Sequence, residues 1–177
     1  MILRVVTGHA GGHAPPHERG LVRAHLGRDR VSGEPVEVTV WDDLEAAISI
    51  ETRSSDVATA DPAYFDVGPT WLEWSRDEPV AFRLAVGQLN RPRADLEMMA
   101  WLRDRVPMLG EDLTESAVGR RVVGRAVEVV FFSAWAREPA AWRLEDAFWP
   151  DIARHYDEFS VRVCESTRPI VSRPPRP

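Results

Sequence analysis

The sequence predicts an α+β fold: two tandem ferredoxin-like β-α-β-β-α-β modules, packed together as one fused dimeric α/β barrel. Three observations predict it. An internal echo divides the chain, with "AHLGRDRVSGEPVEVTVWDDLEAA" from Ala24 matched by "SAVGRRVVGRAVEVVFFSAWAREPAA" from Ser116. A shorter echo lies upstream of each, where "RVVTG" from Arg4 matches "RLAVG" from Arg83. Strand-like and helix-like stretches then alternate in the order that such a module requires. In both long segments a Gly-Arg pair precedes a turn, a Val-Glu-Val and an aromatic strand that ends at a Trp, so Trp41 and Trp135 hold matching places.

The second half, residues 79–167, is the fuller copy. Val80 to Leu89 alternates as a first strand. Asn90-Arg91-Pro92 opens a helix, whose stripe is Leu96, Met99, Leu102 and Val106, and Pro107 and Gly110 stop it. Leu113 to Val123 and Ala126 to Ala136 form a hairpin around Gly124. A second helix is expected from Glu138 to Tyr156, with Ala141, Leu144, Phe148, Ile152 and His155 on its apolar face, and Pro150 is expected to kink it or split it in two. Phe159 to Glu165 closes the module as its fourth strand.

The first half, residues 1–76, follows the same plan with one element lost. Strand Ile2 to Gly8 runs into "HAGGHAPPHERG", too rich in Gly and Pro for a full helix, so the first helix of this copy is expected to shrink to a loop or a single turn. Leu21 to Val31 and Val36 to Trp41 make its hairpin, with Ser32-Gly33 in the turn. A helix starts near Asp42, "TRSSDVATADP" reads as a polar loop, and Tyr64 to Trp74 returns as the last strand. Ser75 to Pro79 links the copies, and residues 168–177 form a Pro-rich, extended or disordered tail. The duplication has a physical rationale. A four-stranded module covers one sheet face with its own helices, and a second sheet can bury the other.

Composition limits the function. At 177 residues, 44% hydrophobic and 28% charged, the chain is of ordinary globular type. A net charge of −6 argues against a nucleic-acid partner, which calls for a basic face. No stretch approaches a membrane span. The single cysteine, Cys164, permits no internal disulfide, and the expected location is the cytoplasm. No phosphate loop, nucleophile elbow or dinucleotide fingerprint is present.

On "VEVVFFSAWAREPAAW", "RLEDAFWPDIARHYDEF" and "FSVRVCEST", the second half resembles the antibiotic-biosynthesis-monooxygenase-like superfamily of dimeric α/β barrels. The resemblance covers Val80 to Thr167 well and the first half more loosely. It implies a small monooxygenase acting on a hydrophobic aromatic substrate within the barrel, working either without a cofactor or with haem held through His155. The alternative is a non-catalytic ligand-binding or structural barrel. The expected assembly is a monomer, as a fused pseudo-dimer, or a homodimer. Haem-degrading members use an Asn at the end of the first strand, a Trp near the second helix and a His on that helix. Asn90, Trp142 and His155 stand in those places.

Each candidate also has a plainer reading. His155 could ligate iron or move a proton, or simply bond a carbonyl at the edge of the core. Trp142 could line a pocket or pack the core. Asn90 could orient a carbonyl or bound oxygen, or cap the helix that follows it. His9, His13 and His17, with His25 nearby, suggest metal ligands at helical spacing, but the Gly and Pro around them favour a polar loop at the barrel mouth. Cys164 has no partner arrangement that would make it a nucleophile.

Overall fold

The computed structural model describes residues 1–8, 18–53, 61–67, 72–73, 78–91, 97, 100, 104, 112–137, 153–167 and 171–172. Within them the chain forms strands β1 (Ile2–Thr7), β2 (Leu21–Asp29) and β3 (Pro35–Trp41), helix α1 (Leu44–Arg53), then β4 (Ala63–Asp66) and β5 (Leu72–Glu73). Strands β6 (Ala81–Leu89), β7 (Leu113–Val123), β8 (Ala126–Trp135), β9 (Tyr156–Ser166) and β10 (Val171–Ser172) complete it. All ten strands join one sheet, in which every pairing is antiparallel.

The pairing order repeats. In the first half it runs β2-β3-β1-β4, and in the second β7-β8-β6-β9. The halves meet twice. Asp66 of β4 pairs with Arg120 of β7, and Arg28 of β2 pairs with Glu165 of β9. The hydrogen-bonded path through the eight main strands therefore returns to its start, leaving neither end of that path as an open edge. The short strands repeat as well, with β5 lying on β7 at Glu115 and Ser116, and β10 on β2 at Arg23 and Ala24.

Register makes the repeat specific. Leu21 faces Trp41, a bulge follows, and Arg23 faces Val40. Leu113 faces Trp135, a bulge follows, and Glu115 faces Ala134. Gly27 faces the residue five before Trp41, and Gly119 the residue five before Trp135. Arg4 faces Thr39 and Arg83 faces Ser133, each two before its Trp. The two Val-Glu-Val motifs, however, are not equivalent. Glu128 sits in an extension of the second hairpin, opposite Arg121, because that hairpin is the longer one.

The inner face of this sheet carries one apolar cluster drawn from both halves. It includes Leu3, Val5, Val38, Val40 and Phe65 from the first and Phe82, Leu84, Val130, Phe132 and Cys164 from the second. On the outer face of the first half, Leu21, Ala24 and Trp41 pack against Ala47 and Ile50 of α1. Asp43 caps that helix, its carboxylate accepting from the Ala46 amide at 2.8 Å. Gly20 sits just before β2 at φ +86°, and a Cβ there would meet Ala46 at 2.7 Å, so only glycine fits this crossing.

Several expectations need correction. The second helix of the second half ends earlier than expected. Ala153 is helical, Arg154 and His155 form a turn, and Tyr156 already opens β9. The strand expected from Tyr64 to Trp74 is interrupted at Val67, and the described residues beyond it form β5. Within the tail expected to be extended or disordered, Val171–Ser172 are extended and form β10. Glu97, Ala100 and Asp104 are helical and exposed, as suits the polar side of the helix expected after Asn90. Residues 9–17, where the first half was expected to lose its helix, lie outside the described residues.

Candidate functional site

Strand alternation places Arg23, His25 and Gly27 on the inner face of β2, since their partners Val40, Val38 and Val36 belong to the inner cluster. The same rule places Glu115, Ala117 and Gly119 on the inner face of β7. Three charged or titratable side chains thus enter an otherwise apolar interior, and they meet. His25 Nε2 lies 3.1 Å from Glu115 Oε2. Arg23 Nε donates to Glu115 Oε1 at 2.6 Å, and its terminal amino group joins the same oxygen. The His25 and Glu115 side chains are 1% and 0% exposed, and Arg23, at 14%, is the member nearest solvent.

Two aromatic rings frame the imidazole. Phe132 lies 4.8 Å from the His25 ring centroid and Phe82 lies 5.9 Å away, both tilted. Gly27 permits this packing, because a Cβ there would come within 2.5 Å of the Glu165 carbonyl and 2.7 Å of the Phe82 ring.

Burial pushes the Glu115 carboxyl up, but the hydrogen bond and charge of His25 and those of Arg23 outweigh it and hold the group below the usual carboxylate range. An ionised Glu115 can only accept, so His25 turns a protonated Nε2 toward it, and the neutral form of the ring has its lone pair on Nδ1. The arrangement is that of an imidazole oriented by a carboxylate, able to take a proton next to flat apolar surfaces.

A second buried ion pair lies on the opposite face of the sheet, where Arg4 and Glu37 meet at 2.6 Å. Burial raises the Glu37 carboxyl, with Arg4 opposing it. The register places Arg83 where Arg4 stands and Phe131 where Glu37 stands, so the second half carries no carboxylate at that point.

The residues singled out in the sequence fall elsewhere. The Asn90 side-chain amide donates to the Arg154 carbonyl at 2.6 Å, and its backbone amide donates to the His155 carbonyl at 3.0 Å. Asn90 and His155 are therefore brought together, at the junction of β6 with the turn before β9. His155 is buried, with its Nε2 3.4 Å from Arg154 Nε. Eight strand residues, roughly 26 Å, separate this junction from Phe82 and the His25 cluster. Trp142 lies outside the described residues, as do His9, His13 and His17. Among the described residues no group of three or more His, Cys, Asp or Glu is placed to hold a metal ion, and no helix is long and apolar enough to cross a membrane. Burial pushes the Cys164 thiol up to about 12, with Asp29 adding to the effect and Arg162 opposing it.

Sequence reasoning noticed His25 only as a neighbour of the histidine-rich loop and passed over Arg23 and Glu115. A usable signal was present. Arg23 and Glu115 each stand four residues before the Gly of a matching Gly-Arg pair, with opposite charge, on strands whose alternation turns them inward.

No protein-family model matches the chain. No curated protein matches it. Solved structures do. A candidate monooxygenase of Fusobacterium nucleatum superposes with a TM-score of 0.70 at 12% identity, covering 97% of this chain and 94% of that one. An anthrone oxidase-like protein superposes with a TM-score of 0.64 at 12% identity, covering 95% and 91%. A ferredoxin-fold protein of Listeria monocytogenes, related to antibiotic biosynthesis monooxygenases, does so at 0.56 and 7% identity, covering 94% and 95%. At such identities the likeness is one of fold. In fold, this chain is similar to the ferredoxin-like proteins of the antibiotic-biosynthesis-monooxygenase group.

Proposed function

We propose that the chain is two ferredoxin-like modules fused as one dimeric α/β barrel, and that it works as a cofactor-independent monooxygenase on a small, hydrophobic aromatic substrate bearing an acidic phenol or benzylic C–H. The observation that carries this reading is the His25–Glu115 pair, buried at 3.1 Å among Phe132 and Phe82. The repeated strand order, bulges and junctions support the architecture.

In this reading His25 takes the substrate proton, and Glu115 fixes its ring and stabilises the imidazolium that forms. The resulting carbanion or phenolate is stripped of water, which raises its energy and favours electron transfer to dioxygen. For a benzylic methylene, the peroxide formed at that carbon loses water. One methylene and one dioxygen thus give one ketone and one water: the carbon gains one oxygen atom, the second leaves with both methylene hydrogens, and dioxygen takes up all four electrons. His25 returns its proton in the last step.

Haem is the other route considered for this fold group. His155 Nε2 already accepts from Arg154 Nε. That guanidinium competes with iron for the Nε2 lone pair, so His155 as placed is a poor axial ligand through that atom, and no step is routed through haem. A second reading, a barrel that binds a hydrophobic ligand or nothing and does no chemistry, is favoured by the near-complete burial of His25 and Glu115.

Oxygen uptake decides between them, measured with 1,8-dihydroxyanthrone as probe. The anthrone oxidase-like fold neighbour motivates this choice. The wild type should consume one dioxygen per substrate and form the anthraquinone, and His25→Gln should be slower by about 100-fold or more. Uptake no faster than the uncatalysed background would leave the non-catalytic barrel.

A further inference from the structure

We infer that Arg23 is a positioning residue: paired with Glu115 from the register-equivalent place in the other half, it makes the interior site a composite that only two unlike halves can build. The first support is the register. Arg23 and Glu115 both follow a bulge, and both face the residue just before the strand-ending Trp. They also meet each other. A residue that meets its own counterpart lies close to the axis relating the halves. Two identical modules would put like charges there, either two guanidiniums or two carboxylates, inside an apolar cluster. Opposite charges at this point need different sequences in the two halves.

The second support is the asymmetry next to the pair. His25 lies two residues beyond Arg23, and the matching residue two beyond Glu115 is Ala117. The imidazole is therefore present once, and the carboxylate facing it comes from the other half. Arg23 engages Oε1 through two nitrogens and leaves Oε2 directed at His25. A planar guanidinium fixes a carboxylate in a way that a single ammonium cannot. Arg23 thus acts on His25 through Glu115.

The positioning role rests on the reading of His25 as the proton acceptor, whereas the pairing role does not. Two measurements on the full chain separate them. The first is thermal unfolding with light scattering for Arg23→Glu, Glu115→Arg and the double exchange. Each single reversal buries like charges and should lower Tm by at least about 10 °C or drive the chain into oligomers, and the double exchange should recover at least half the loss. Single reversals as stable as wild type, or an exchange no better than its worse parent, would overturn the pairing role. If the reversals do not fold, Arg23→Gln, Glu115→Gln and their double variant supply the same cycle.

The second measurement is side-chain 15N NMR of histidine-labelled protein, with His25 assigned through His25→Gln. Wild type should show the Nε2–H tautomer of the neutral ring. Arg23→Gln should give a mixture of tautomers and a loss of oxygen uptake in kcat rather than KM, with Arg23→Lys intermediate. A folded Arg23→Gln with the wild-type tautomer refutes positioning and leaves the catalytic reading standing. A wild type without oxygen uptake but with the tautomer shift removes the catalytic reading and leaves Arg23 as the residue that orients the pair.

Discussion

His25 Nε2 and Glu115 Oε2, ninety residues apart in sequence, face each other at 3.1 Å inside the sheet. The contact crosses from β2 to β7, which belong to different pairing sets, so it reports the packing of one half on the other.

Acid should weaken that packing through Glu115. Its folded carboxyl is held below its unfolded value, so its contribution to stability is fully present above the unfolded range, near pH ~4.3, and is lost as pH falls through the depressed folded value. Urea unfolding between pH 3 and 7 should show wild type losing stability more steeply below about pH 4.5 than Glu115→Gln. At pH 7, Glu115→Gln should be the weaker by about 3 kcal/mol, since Arg23 loses its counter-charge. Parallel stability-against-pH curves for the two proteins would contradict this account.

Gly27→Ala should cost about 1–3 kcal/mol, because the added methyl meets the Glu165 carbonyl at the β2–β9 junction and the Phe82 ring beside His25. Gly119→Ala tests the matching place, where the new Cβ would lie 2.7 Å from the Phe65 Cβ. Chemical denaturation of both variants checks the pair, and wild-type stability in either would show that the neighbours give way.

The two tryptophans offer a matched test. Trp41 Nε1 donates to Thr39 Oγ1 at 2.9 Å, and Trp135 Nε1 donates to Ser133 Oγ at 3.0 Å, all four residues being buried. Thr39→Val and Ser133→Ala each leave a buried indole N–H without its acceptor, so each should cost about 1–3 kcal/mol. Denaturant midpoints measure this, and an effect in one variant only would break the equivalence of the two places.

Cys164 should resist alkylation. Its side chain is buried, and its thiol is pushed up to about 12, so little thiolate exists at pH 8. Iodoacetamide should label the native protein at least about 10-fold more slowly than the urea-unfolded chain. Comparable rates would place the sulfur at the surface.

Local signals carried much of the fold. Alternation and turn residues located most of the strands, since Gly33 and Gly124 take the positive φ of their hairpins at 72° and 63°, and Gly marks such turns in any sequence. They misplaced the end of the helix before β9, because His155 and Tyr156 continue a plausible helical stripe, and only pairing with β6 at Leu89 makes Tyr156 a strand residue.

What the sequence by itself determined is therefore most of the strands, their order along the chain and the matching places of Trp41 and Trp135, because periodicity, glycine and chain order are local properties. Only the tertiary structure decided which distant residues share the interior. The matched Gly-Arg pairs put Arg23 and Glu115 in corresponding places, but nothing in the sequence alone says that these charges and His25 are buried or that they meet. Strand register turns all three inward, and the meeting of β2 and β7 across the interior makes them partners. The Val-Glu-Val repeat shows the same limit, since the letters match while the longer second hairpin sets them at different heights.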